Sequence, residues 1–436
     1  MKREERTIIS FVGRTNAGKS SLINLFSFQK EYAITDETPG TTADVVVVLM
    51  EIHDFGPTKL LDTAGIDEYS QLGEKKRKKT FEAIEESDLS LITIDLVKAV
   101  KENDISLETE IINHVKKHNK QVLLIYNVFD KDNTLTEEQI KEYKDTIDKK
   151  LNLDIPSLSL NATNQNDRSK LIKFIEDNFI KEARNIDLLP SLKEKGYVLL
   201  VVPMDEETPA LRLLRPQDMS VERLLRNFSD TVLHRPNLSK SRSQNQEEVK
   251  QEKERFENLI NDLKNSSQGL QLVITDSQAF DIIAHWVPKE IPLTSFSIMM
   301  TSYMSFGYLD LFVEGVKAVD TLKEGDSVLI VEACNHNRKC DDIGTVQIPR
   351  ILQKKINANL NFDFSFGRTY PDDIEKYKLI IHCGSCMIDR QKFLRRILKA
   401  KEKNVPFTNY GIFLSYIQGK DTLERTVQPF LNNVYS

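Results

Sequence analysis

A glycine-rich loop near the start of the sequence constrains the fold more than any other feature. Gly13 to Ser20 read GRTNAGKS, a GxxxxGKS pattern that stands between the apolar run TIISFV and the helix-like segment SLINLF. In such a loop, backbone N–H groups curl around phosphate oxygens, the lysine bridges the outer phosphates and the following hydroxyl binds magnesium. The flanking strand and helix argue against a fortuitous glycine loop. The predicted phosphate-binding residues are Gly13, Asn16, Ala17, Gly18, Lys19, Ser20 and Ser21.

Short apolar runs alternate with helical stretches from Thr7 to about Ala183, which predicts a mostly parallel sheet with helices on both faces. The runs are TIISFVG, DVVVVLMEI, TKLLDTAG, LSLITID, QVLLIYN and PSLSLNA. We therefore predict an α/β fold for a first domain over residues 1–183.

Two further alternations predict two smaller α/β domains, over residues 190–290 and 291–436. In the first of them, GYVLLVVP and GLQLVITD are predicted strands and VERLLRNF is a predicted helix. The polar stretch from Arg235 to Gln268 predicts an insertion or exposed connector with a solvated helix over 247–263. In the last domain, SVLIVEAC and YKLIIHC are predicted strands.

Charge and composition exclude several classes of protein. The 60 Lys and Arg residues against 66 Asp and Glu residues give a net charge of −6, which argues against a nucleic-acid partner. No stretch reaches 18 apolar residues, so we expect no membrane span. Four cysteines in 436 residues are too few for a disulfide scaffold. These features predict a reducing, cytoplasmic location, with a hydrogenosome or another organelle left open.

The DTAG segment at residues 62–65 is the second candidate part of the phosphate site. Its carboxylate is expected to reach the magnesium shell, and Gly65 to approach the third phosphate. Between the two motifs, PGTT at 39–42 predicts a turn whose threonine hydroxyl completes that shell. Together the motifs resemble the P-loop GTPases of the Ras-like, translation-factor branch, in which Thr42 matches the switch threonine. This resemblance implies GTP hydrolysis with magnesium, and the predicted catalytic residues are Lys19, Thr42, Asp62 and Gly65.

The segment expected to select the base departs from the pattern of that superfamily. The sequence reads NVFD from Asn127 to Asp130 where NKxD is usual, and NAT from Asn161 where SAK is usual. Asp130 can accept hydrogen bonds from guanine N1 and N2, which adenine cannot reproduce. Val128 cannot supply the aliphatic stem or the ammonium of the missing lysine. We expect guanine selectivity with weakened affinity, from Asn127, Asp130, Asn161 and Ala162.

The loop sequences also predict slow intrinsic hydrolysis. No glutamine directly follows DTAG to orient water as in small signalling GTPases. Asn16 resembles the asparagine that coordinates potassium in cation-activated members of the superfamily; the alternative is that Asn16 only shapes the loop. Glu68 and Glu74 are interpreted as solvated surface carboxylates rather than as bases.

Three of the four cysteines follow two predicted strands. Cys334 ends SVLIVEAC, and the CxxC pair of Cys383 and Cys386 follows YKLII. If these strands are parallel neighbours joined by the helix-like segment 348–357, the three thiols converge on one edge of a sheet. Two residues between thiolates allow both sulfurs to face one metal centre.

Three thiolates leave one coordination position to a histidine, a solvent ligand or an incoming group. His336 and His382 are candidates for that ligand, for hydrogen-bond donors to the sulfurs, or for simple strand-end residues. Cys340 is interpreted as a bystander. A structural zinc ion in a Cys3His arrangement stays an open alternative at this point.

The motifs taken together resemble the HydF family, the GTPase maturation factors of FeFe hydrogenase. The resemblance rests on GRTNAGKSSLIN, DTAGIDE, ITDSQAF, PLTSFSI and ACNH…IIHCGSCMIDR…NYGIFLSYIQG, and it covers nearly the whole chain. It implies a homodimer with a GTPase domain, a dimerisation domain and a domain that binds a 4Fe-4S cluster through Cys334, Cys383 and Cys386. It also implies a scaffold or carrier of the two-iron precursor of the hydrogenase active site. That protein works with the radical-SAM maturases HydE and HydG and delivers the precursor to the apo-hydrogenase HydA.

Two other classes of protein stay open from the residues alone. One is a ribosome- or RNA-associated GTPase with a structural zinc domain; the negative charge, without a basic patch interleaved with aromatic residues, counts against it. The other is a dimeric interaction protein with a degenerate nucleotide site. A brown, EPR-active cluster would indicate the hydrogenase maturation factor, whereas colourless bound zinc would indicate the ribosome- or RNA-associated GTPase. GTP turnover would exclude the interaction protein with a degenerate nucleotide site.

Overall fold

The computed structural model describes residues 6–27, 45–52, 56–67, 70–129, 135–151, 154–180, 186–204, 213–333, 342–367 and 369–431. The chain forms two compact units, residues 1–182 and residues 183–436. Each unit is taken by itself below. Among the described residues, no helix combines the length and the apolar character needed to cross a bilayer.

Unit 1 is an α/β sandwich. Its strands are β1 (Thr7–Val12), β2 (Val46–Ile52), β3 (Gly56–Asp62), β4 (Leu89–Asp95), β5 (Gln121–Asn127) and β6 (Ser157–Leu160). Its helices are α1 (Lys19–Ser27), α2 (Gln71–Glu85), α3 (Leu96–Glu102), α4 (Ser106–Lys117), α5 (Glu137–Leu151) and α6 (Arg168–Asn178). Within the described residues, the strands form one six-stranded sheet in the order β2-β3-β1-β4-β5-β6. The runs predicted as strands from the sequence are therefore confirmed.

The sheet of unit 1 is parallel except at one edge, where β2 runs antiparallel to β3. Every residue of β1 is buried, as expected for a central parallel strand that is covered on both faces. One apolar cluster packs α1 and α6 against the sheet, and a second cluster packs α2 to α5. This arrangement confirms the predicted α/β class with helices on both faces, and it places the loop after β1 at the carboxyl edge of the sheet.

Unit 2 contains two parallel sheets. Its strands are β7 (Tyr197–Val201), β8 (Asp230–His234), β9 (Leu270–Thr275), β10 (Leu293–Ser295), β11 (Ser327–Glu332), β12 (Asn361–Phe366), β13 (Leu379–His382) and β14 (Phe407–Asn409). Its helices are α7 (Arg215–Arg226), α8 (Leu238–Ser241), α9 (Gln246–Asn265), α10 (Phe280–Trp286), α11 (Phe296–Met304), α12 (Leu309–Gly315), α13 (Ile348–Ile356), α14 (Arg390–Glu402), α15 (Tyr410–Ile417) and α16 (Lys420–Leu431). In the part of the chain that the structure describes, the strand orders are β10-β9-β7-β8 and β12-β11-β13-β14.

A single apolar cluster joins the two sheets of unit 2. It includes Leu200 of β7 and Ile330 of β11, with Met299 and Phe312 from the helices between them. The division of this unit into domains over 190–290 and 291–436 stays a prediction, since the two sheets share one core.

Helix α9 corrects one expectation from the sequence. The helix is present, but the predicted solvated connector is wrong, because Phe256 is 0 % exposed and Ile260 is 1 % exposed. Both side chains pack with Leu199 and Val273 of the adjoining sheet. The apolar residues at 256, 260 and 263 form a stripe at helical spacing inside an otherwise charged segment. Charged residues outnumber this narrow stripe, so the composition of the segment concealed it.

We expect Phe256→Ala to lower the free energy of unfolding of unit 2 by about 3–5 kcal/mol, because it leaves a cavity under α9. Denaturant unfolding followed by circular dichroism measures the change. Lys253→Ala on the same helix is the matched control, since the Lys253 side chain is 45 % exposed. That control should shift stability by less than about 0.5 kcal/mol. Equal effects of the two substitutions would show that α9 does not pack as described.

His234, the last residue of β8, gives unit 2 a pH-dependent stability. Burial lowers the pKa of its imidazole to about 4, and the Arg255 charge adds to this effect while Glu252 opposes it. An unfolded histidine titrates near pH 6.5, so the unfolded chain holds more protons than the folded chain between about pH 4 and 6.5. His234 therefore makes stability rise with pH across this window. We expect His234→Gln to flatten the pH dependence of the unfolding midpoint there, and an unchanged slope would contradict the assignment.

The crossover after β11 differs from the expected one. Helix α13 leads into β12, which pairs with β11 on the side away from β13, rather than directly into β13. The segment NFDFSF that forms β12 was not predicted as a strand, because polar residues interrupt its apolar ones. Its strict alternation of phenylalanine with polar residues is the pattern of a half-exposed strand and was the available signal.

Candidate nucleotide and metal sites

The structure describes most of the predicted site residues, which lie at the carboxyl edges of the two relevant sheets. The predicted residues that lie outside the described residues are Thr42, Glu68, Asp130, Cys334, His336 and Cys340. Glu74 lies in the first turn of α2 and is exposed, in agreement with its interpretation as a solvated surface carboxylate.

Lys19 is the first residue of α1, and its side chain reaches back into the loop that joins β1 to α1. It is 7 % exposed, and its ammonium donates hydrogen bonds to the carbonyl oxygens of Gly13 at 3.2 Å and Arg14 at 2.8 Å. Burial lowers the pKa of Lys19, while the carboxylates of Asp62 and Asp67 oppose that effect. The loop therefore holds one buried positive charge at the N-terminal end of α1, where partial positive charge from the helix also favours an anion.

Two glycines give this loop its shape. Gly13 has φ +151°, and a Cβ atom there would lie 2.3 Å from the carbonyl oxygen of Thr93 on β4. Gly18 has φ +101°, and a Cβ atom there would lie 2.0 Å from Nδ2 of Asn127. Both positions require the absence of a side chain, as the motif predicts for backbone that curls around phosphates.

Ser20 and Asp62, the two described residues predicted for magnesium, meet in the structure. The Ser20 hydroxyl donates a hydrogen bond of 2.6 Å to Oδ2 of Asp62, which ends β3 and is 8 % exposed. Magnesium prefers hydroxyl and carboxylate oxygens together with substrate phosphates, so this pair fits the ion by its donor chemistry.

The segment after DTAG docks on the phosphate loop. Asp67 Oδ1 accepts hydrogen bonds from the backbone N–H of Thr15 at 2.8 Å and from its hydroxyl at 2.5 Å. Burial raises the pKa of Asp67, but the hydrogen bonds from Thr15 and from the backbone of Asp67, together with the charge of Lys19, leave it below its usual value. Gly65 approaches the same residue, since a Cβ atom there would lie 2.2 Å from the Thr15 hydroxyl. Asp67 was missed in the sequence, where an acid two residues after DTAG was its only signal.

Asn127 clamps two loops of the predicted nucleotide site together. Its amide donates to the carbonyl oxygen of Ala17 at 3.1 Å and accepts from the N–H of Ala162 at 3.0 Å. Asn161 accepts hydrogen bonds from its neighbour Thr163, so it orders the turn beside Ala162. Val128 is 5 % exposed and packs in an apolar cluster, which explains how the structure accommodates valine where the superfamily has lysine.

Asn16 and Arg14 fix the outer part of the phosphate loop. Asn16 has φ +62°, a left-handed conformation that asparagine adopts more readily than most residues, in agreement with a loop-shaping role. The Arg14 guanidinium pairs with Glu108 of α4 at 2.8 Å, and Glu108 is 2 % exposed. This partly buried ion pair joins residues 94 positions apart, so no local pattern in the sequence predicted it.

The end of β11 and the CxxC segment lie side by side in unit 2. Strands β11 and β13 are parallel neighbours with Val331 opposite His382, which confirms the predicted neighbourhood of these two strands. The backbone N–H of Ala333, just beyond β11, donates a hydrogen bond of 3.1 Å to Sγ of Cys383. The last described residue before position 334 therefore touches the first cysteine of the CxxC pair.

Cys383 and Cys386 are free, half-buried thiols. Burial raises the pKa of Cys383 to about 12, and the nearby Cys386 adds to this effect. Burial also raises the pKa of Cys386, although the Arg215 charge opposes it. Arg215 donates a hydrogen bond of 2.6 Å to the Cys386 carbonyl, which anchors the loop to α7. A coordinated metal replaces the thiol proton, and sulfur pairs of this spacing suit zinc and iron–sulfur clusters alike.

Both ring nitrogens of His382 are already engaged inside the protein. Nδ1 donates to the Cys383 carbonyl at 2.9 Å, and Nε2 accepts from the Arg396 guanidinium at 2.9 Å. Burial, together with the charge of Arg396, holds the pKa of His382 well below its usual range. The ring also packs against Phe393 and Phe407. The imidazole is therefore neutral and fixed in one tautomer.

Near the cysteines, Glu332 and Arg396 were not predicted from the sequence. Glu332 ends β11, is 3 % exposed and accepts a hydrogen bond of 3.4 Å from the Tyr410 hydroxyl. An acid inside the apolar run that precedes the first cysteine was the signal for it. Arg396, 2 % exposed, lies among the charged residues of α14, where no pattern marks it as buried.

Comparison with protein families accounts for both units. Residues 188–304 match the model described as the hydrogen maturase F dimerization domain, and residues 310–429 match the hydrogen maturase F tetramerization domain. The chain belongs to the hydrogen maturase F (HydF) family. Residues 8–128 of this HydF-family chain match the 50S ribosome-binding GTPase model, so its first domain is a P-loop GTPase domain by sequence as well as by fold.

Two curated relatives each match a quarter to a third of this chain. The tRNA modification GTPase MnmE of Prochlorococcus marinus is 44% identical over 104 residues, which are 24% of this chain and 22% of that protein. The GTPase Der of Clostridium botulinum is 34% identical over 148 residues, 32% of each chain. The HydF-family chain thus spans at most about a third of these relatives. Among solved structures, Aquifex aeolicus Era bound to GDP·AlF4⁻ is 20% identical with a TM-score of 0.34, over 53% of this chain and 93% of Era.

Proposed function

We propose that the chain is a GTP-binding and hydrolysing maturation factor of FeFe hydrogenase that holds a 4Fe-4S cluster and carries the two-iron precursor of the hydrogenase active site. One observation carries the cluster assignment: the N–H of Ala333 contacts the sulfur of Cys383. Cys334 is the residue after Ala333, so the sequence supplies a third thiol one residue beyond this contact.

In this proposal Cys334, Cys383 and Cys386 hold the cluster, which supplies an iron–sulfur centre with one position left for another ligand. His382 acts as a positioning residue, because its two nitrogens bind Arg396 and the Cys383 carbonyl. Its hydrogen bond fixes the turn that presents the CxxC sulfurs. His336 stays the histidine proposed as the further ligand or donor.

For GTP hydrolysis we propose the following roles in unit 1. Gly13 and Gly18 give the backbone the shape that surrounds the phosphates, and Lys19 neutralises charge on the outer phosphates. Ser20 and Asp62 would hold magnesium, with Thr42 completing its ligands. A water molecule attacks the γ-phosphate, GDP leaves with its β-phosphate oxygen, and inorganic phosphate is the second product. No glutamine directly follows DTAG to orient that water, so turnover is slow.

The base and cation assignments belong to the same proposal. Asp130 would select guanine, while Asn127 and Ala162 tie its loop to the phosphate loop, as their hydrogen bonds support. Asn16 would coordinate potassium, which supplies charge that an arginine finger supplies elsewhere. Replacement of potassium by sodium should then slow turnover, and equal rates in both salts would leave Asn16 with the loop-shaping role alone.

Assembly and partners complete the proposal. The two matched family models are described as dimerization and tetramerization domains, which supports a homo-oligomer built through unit 2. We propose HydE and HydG as the maturases that work with this protein and HydA as the recipient of the precursor. Loss of the γ-phosphate would move the loops around Thr42 and Gly65 and so change how these partners dock. Flat hydrolysis rates when HydE or HydG is titrated in would contradict that coupling.

Anaerobic reconstitution of the purified protein with iron and sulfide tests the proposed function. We expect a brown protein with a reducible, EPR-active cluster and about four irons per chain. The same protein expressed in rich medium and purified aerobically should not carry stoichiometric zinc. Colourless protein with one tightly bound zinc ion would instead favour a ribosome- or RNA-associated GTPase with a structural zinc domain.

A further inference from the structure

Helices α2 and α4 of unit 1 lie side by side and meet at intervals of one helical turn. The facing pairs along this seam are Arg77 with Glu110, Phe81 with His114, and Glu85 with His118. The seam ends where both helices end, at a group of two imidazoles and one carboxylate. Glu85 is the last residue of α2, His114 lies in the last turn of α4, and His118 caps α4.

These three side chains point their ligand atoms at one another. Glu85 Oε1 lies 3.2 Å from Nε2 of His114 and 3.7 Å from Nε2 of His118. All three ligand atoms lie within 4.8 Å of one another. A tetrahedral ion with bonds of about 2.0–2.1 Å holds its ligand atoms about 3.3–3.4 Å apart. The two carboxylate-to-imidazole distances lie on either side of that spacing.

The sequence spacing and the local charges also suit a cation. Histidines four residues apart on a helix project from the same face, a spacing that metal sites use. Two positive side chains, Lys117 and Lys120, lie near His118, and the carboxylate of Glu85 supplies the opposite charge at the same place. The C-terminal end of α4 carries partial negative charge, and Glu85 adds a full negative charge to offset the two lysines.

The three side chains are shielded but reachable from solvent. Their exposures are 16 % for Glu85, 23 % for His114 and 29 % for His118. A plain hydrogen bond between Glu85 and His114 would account for one of the contacts. It does not account for a second imidazole nitrogen that approaches the same carboxylate oxygen.

We propose that Glu85, His114 and His118 form a binding site for a divalent transition-metal ion such as Zn²⁺, which joins the C-terminal ends of α2 and α4. Two imidazoles and one carboxylate favour zinc, nickel, cobalt or copper over magnesium and calcium, and they leave a fourth position for water. The site shares no residue with the proposed magnesium ligands Ser20 and Asp62 or with the cysteines of unit 2. Helix α2 comes after the DTAG segment in the chain, so the ion would stiffen the helix that follows this segment.

Zinc binding to the full-length protein, in the presence of excess magnesium and measured by equilibrium dialysis, tests this site. We expect His118→Ala and Glu85→Gln each to bind one equivalent of zinc less than the unsubstituted protein at micromolar free zinc. His285→Ala is the matched control, since this exposed histidine pairs with Gln418 and should leave the zinc count unchanged.

A second readout separates metal loss from unfolding. Zinc should raise the thermal unfolding midpoint of unit 1 in the unsubstituted protein and in His285→Ala, but not in His118→Ala or Glu85→Gln. Circular dichroism at the starting temperature verifies that each variant is folded. Equal zinc counts in His118→Ala, Glu85→Gln and the unsubstituted protein would overturn the proposal and leave the cluster as a hydrogen-bonded contact between helices.

Discussion

Cys383→Ser is expected to abolish cluster binding and, with it, activation of apo-hydrogenase. A serine hydroxyl is a poor substitute for thiolate toward iron, and the remaining CxxC sulfur loses its local partner. Iron per chain after anaerobic reconstitution should fall from about four to near zero. Hydrogenase activity in an extract that lacks the endogenous protein should fall to background.

Cys340→Ser is the matched control for this prediction, because Cys340 is interpreted as a bystander outside the CxxC spacing. It should keep both the iron content and the activation of hydrogenase. GTP turnover provides an internal check, since Cys383 lies in unit 2 and the phosphate loop lies in unit 1. Retention of about four irons by Cys383→Ser, with normal turnover, would remove this cysteine from the cluster.

Lys19→Ala is expected to reduce the rate of GTP hydrolysis by roughly 100–1,000-fold, the range seen when one preorganised charge-stabilising group is removed. Lys19 is the buried cation of the phosphate loop, held 2.8 Å from the Arg14 carbonyl and aligned with the start of α1. Phosphate release under single-turnover conditions measures the chemical step. A fluorescent guanine nucleotide separates lost binding from lost catalysis.

Lys98→Ala serves as the comparison, since Lys98 is also a lysine of unit 1 but is 49 % exposed and pairs with Glu102 on the surface of α3. It should leave turnover within about twofold of the unsubstituted protein, because exposed ion pairs contribute little. The iron content of Lys19→Ala should be normal. A turnover rate in Lys19→Ala equal to that of Lys98→Ala would mean that the loop does not handle GTP as proposed.

The sequence predicts the phosphate loop and its sheet well, because their signals are local. The GxxxxGKS spacing requires a strand, a turn of glycines and a helix in succession, and Gly13 and Gly18 indeed lie where a side chain would collide with neighbouring elements. The buried parallel strands are also predicted from a local signal, since each is a continuous apolar run. For this reason the strands of unit 1 are predicted within three residues of their observed ends.

Contacts between distant segments could not be predicted from the sequence. Glu108, Asp67 and Arg396 each gain their role from a partner that only folding brings near, namely Arg14, Thr15 and His382. Such pairs leave no trace in a local pattern, because each residue by itself reads as a solvated charge on a loop or helix. The same applies to Phe256, whose partners lie on two strands of the adjoining sheet.

The cysteine site was partly predictable. The placement of CxxC at the end of a strand follows from the apolar run before it, and the parallel neighbour β11 is confirmed. The sequence could not decide between ligand and hydrogen-bond donor for His382. In the structure both ring nitrogens are engaged, one with the Cys383 carbonyl and the other with Arg396. No sequence motif shows these two partners.

The central claim is that thiols from the ends of β11 and β13 hold one iron–sulfur cluster. A crystal structure of the anaerobically reconstituted protein, with anomalous data collected at the iron absorption edge, tests it most directly. We predict one compact iron peak bonded to the sulfurs of Cys334, Cys383 and Cys386. Iron density that is bonded to Cys383 and Cys386 without Cys334, or that lies elsewhere in the chain, would contradict this account.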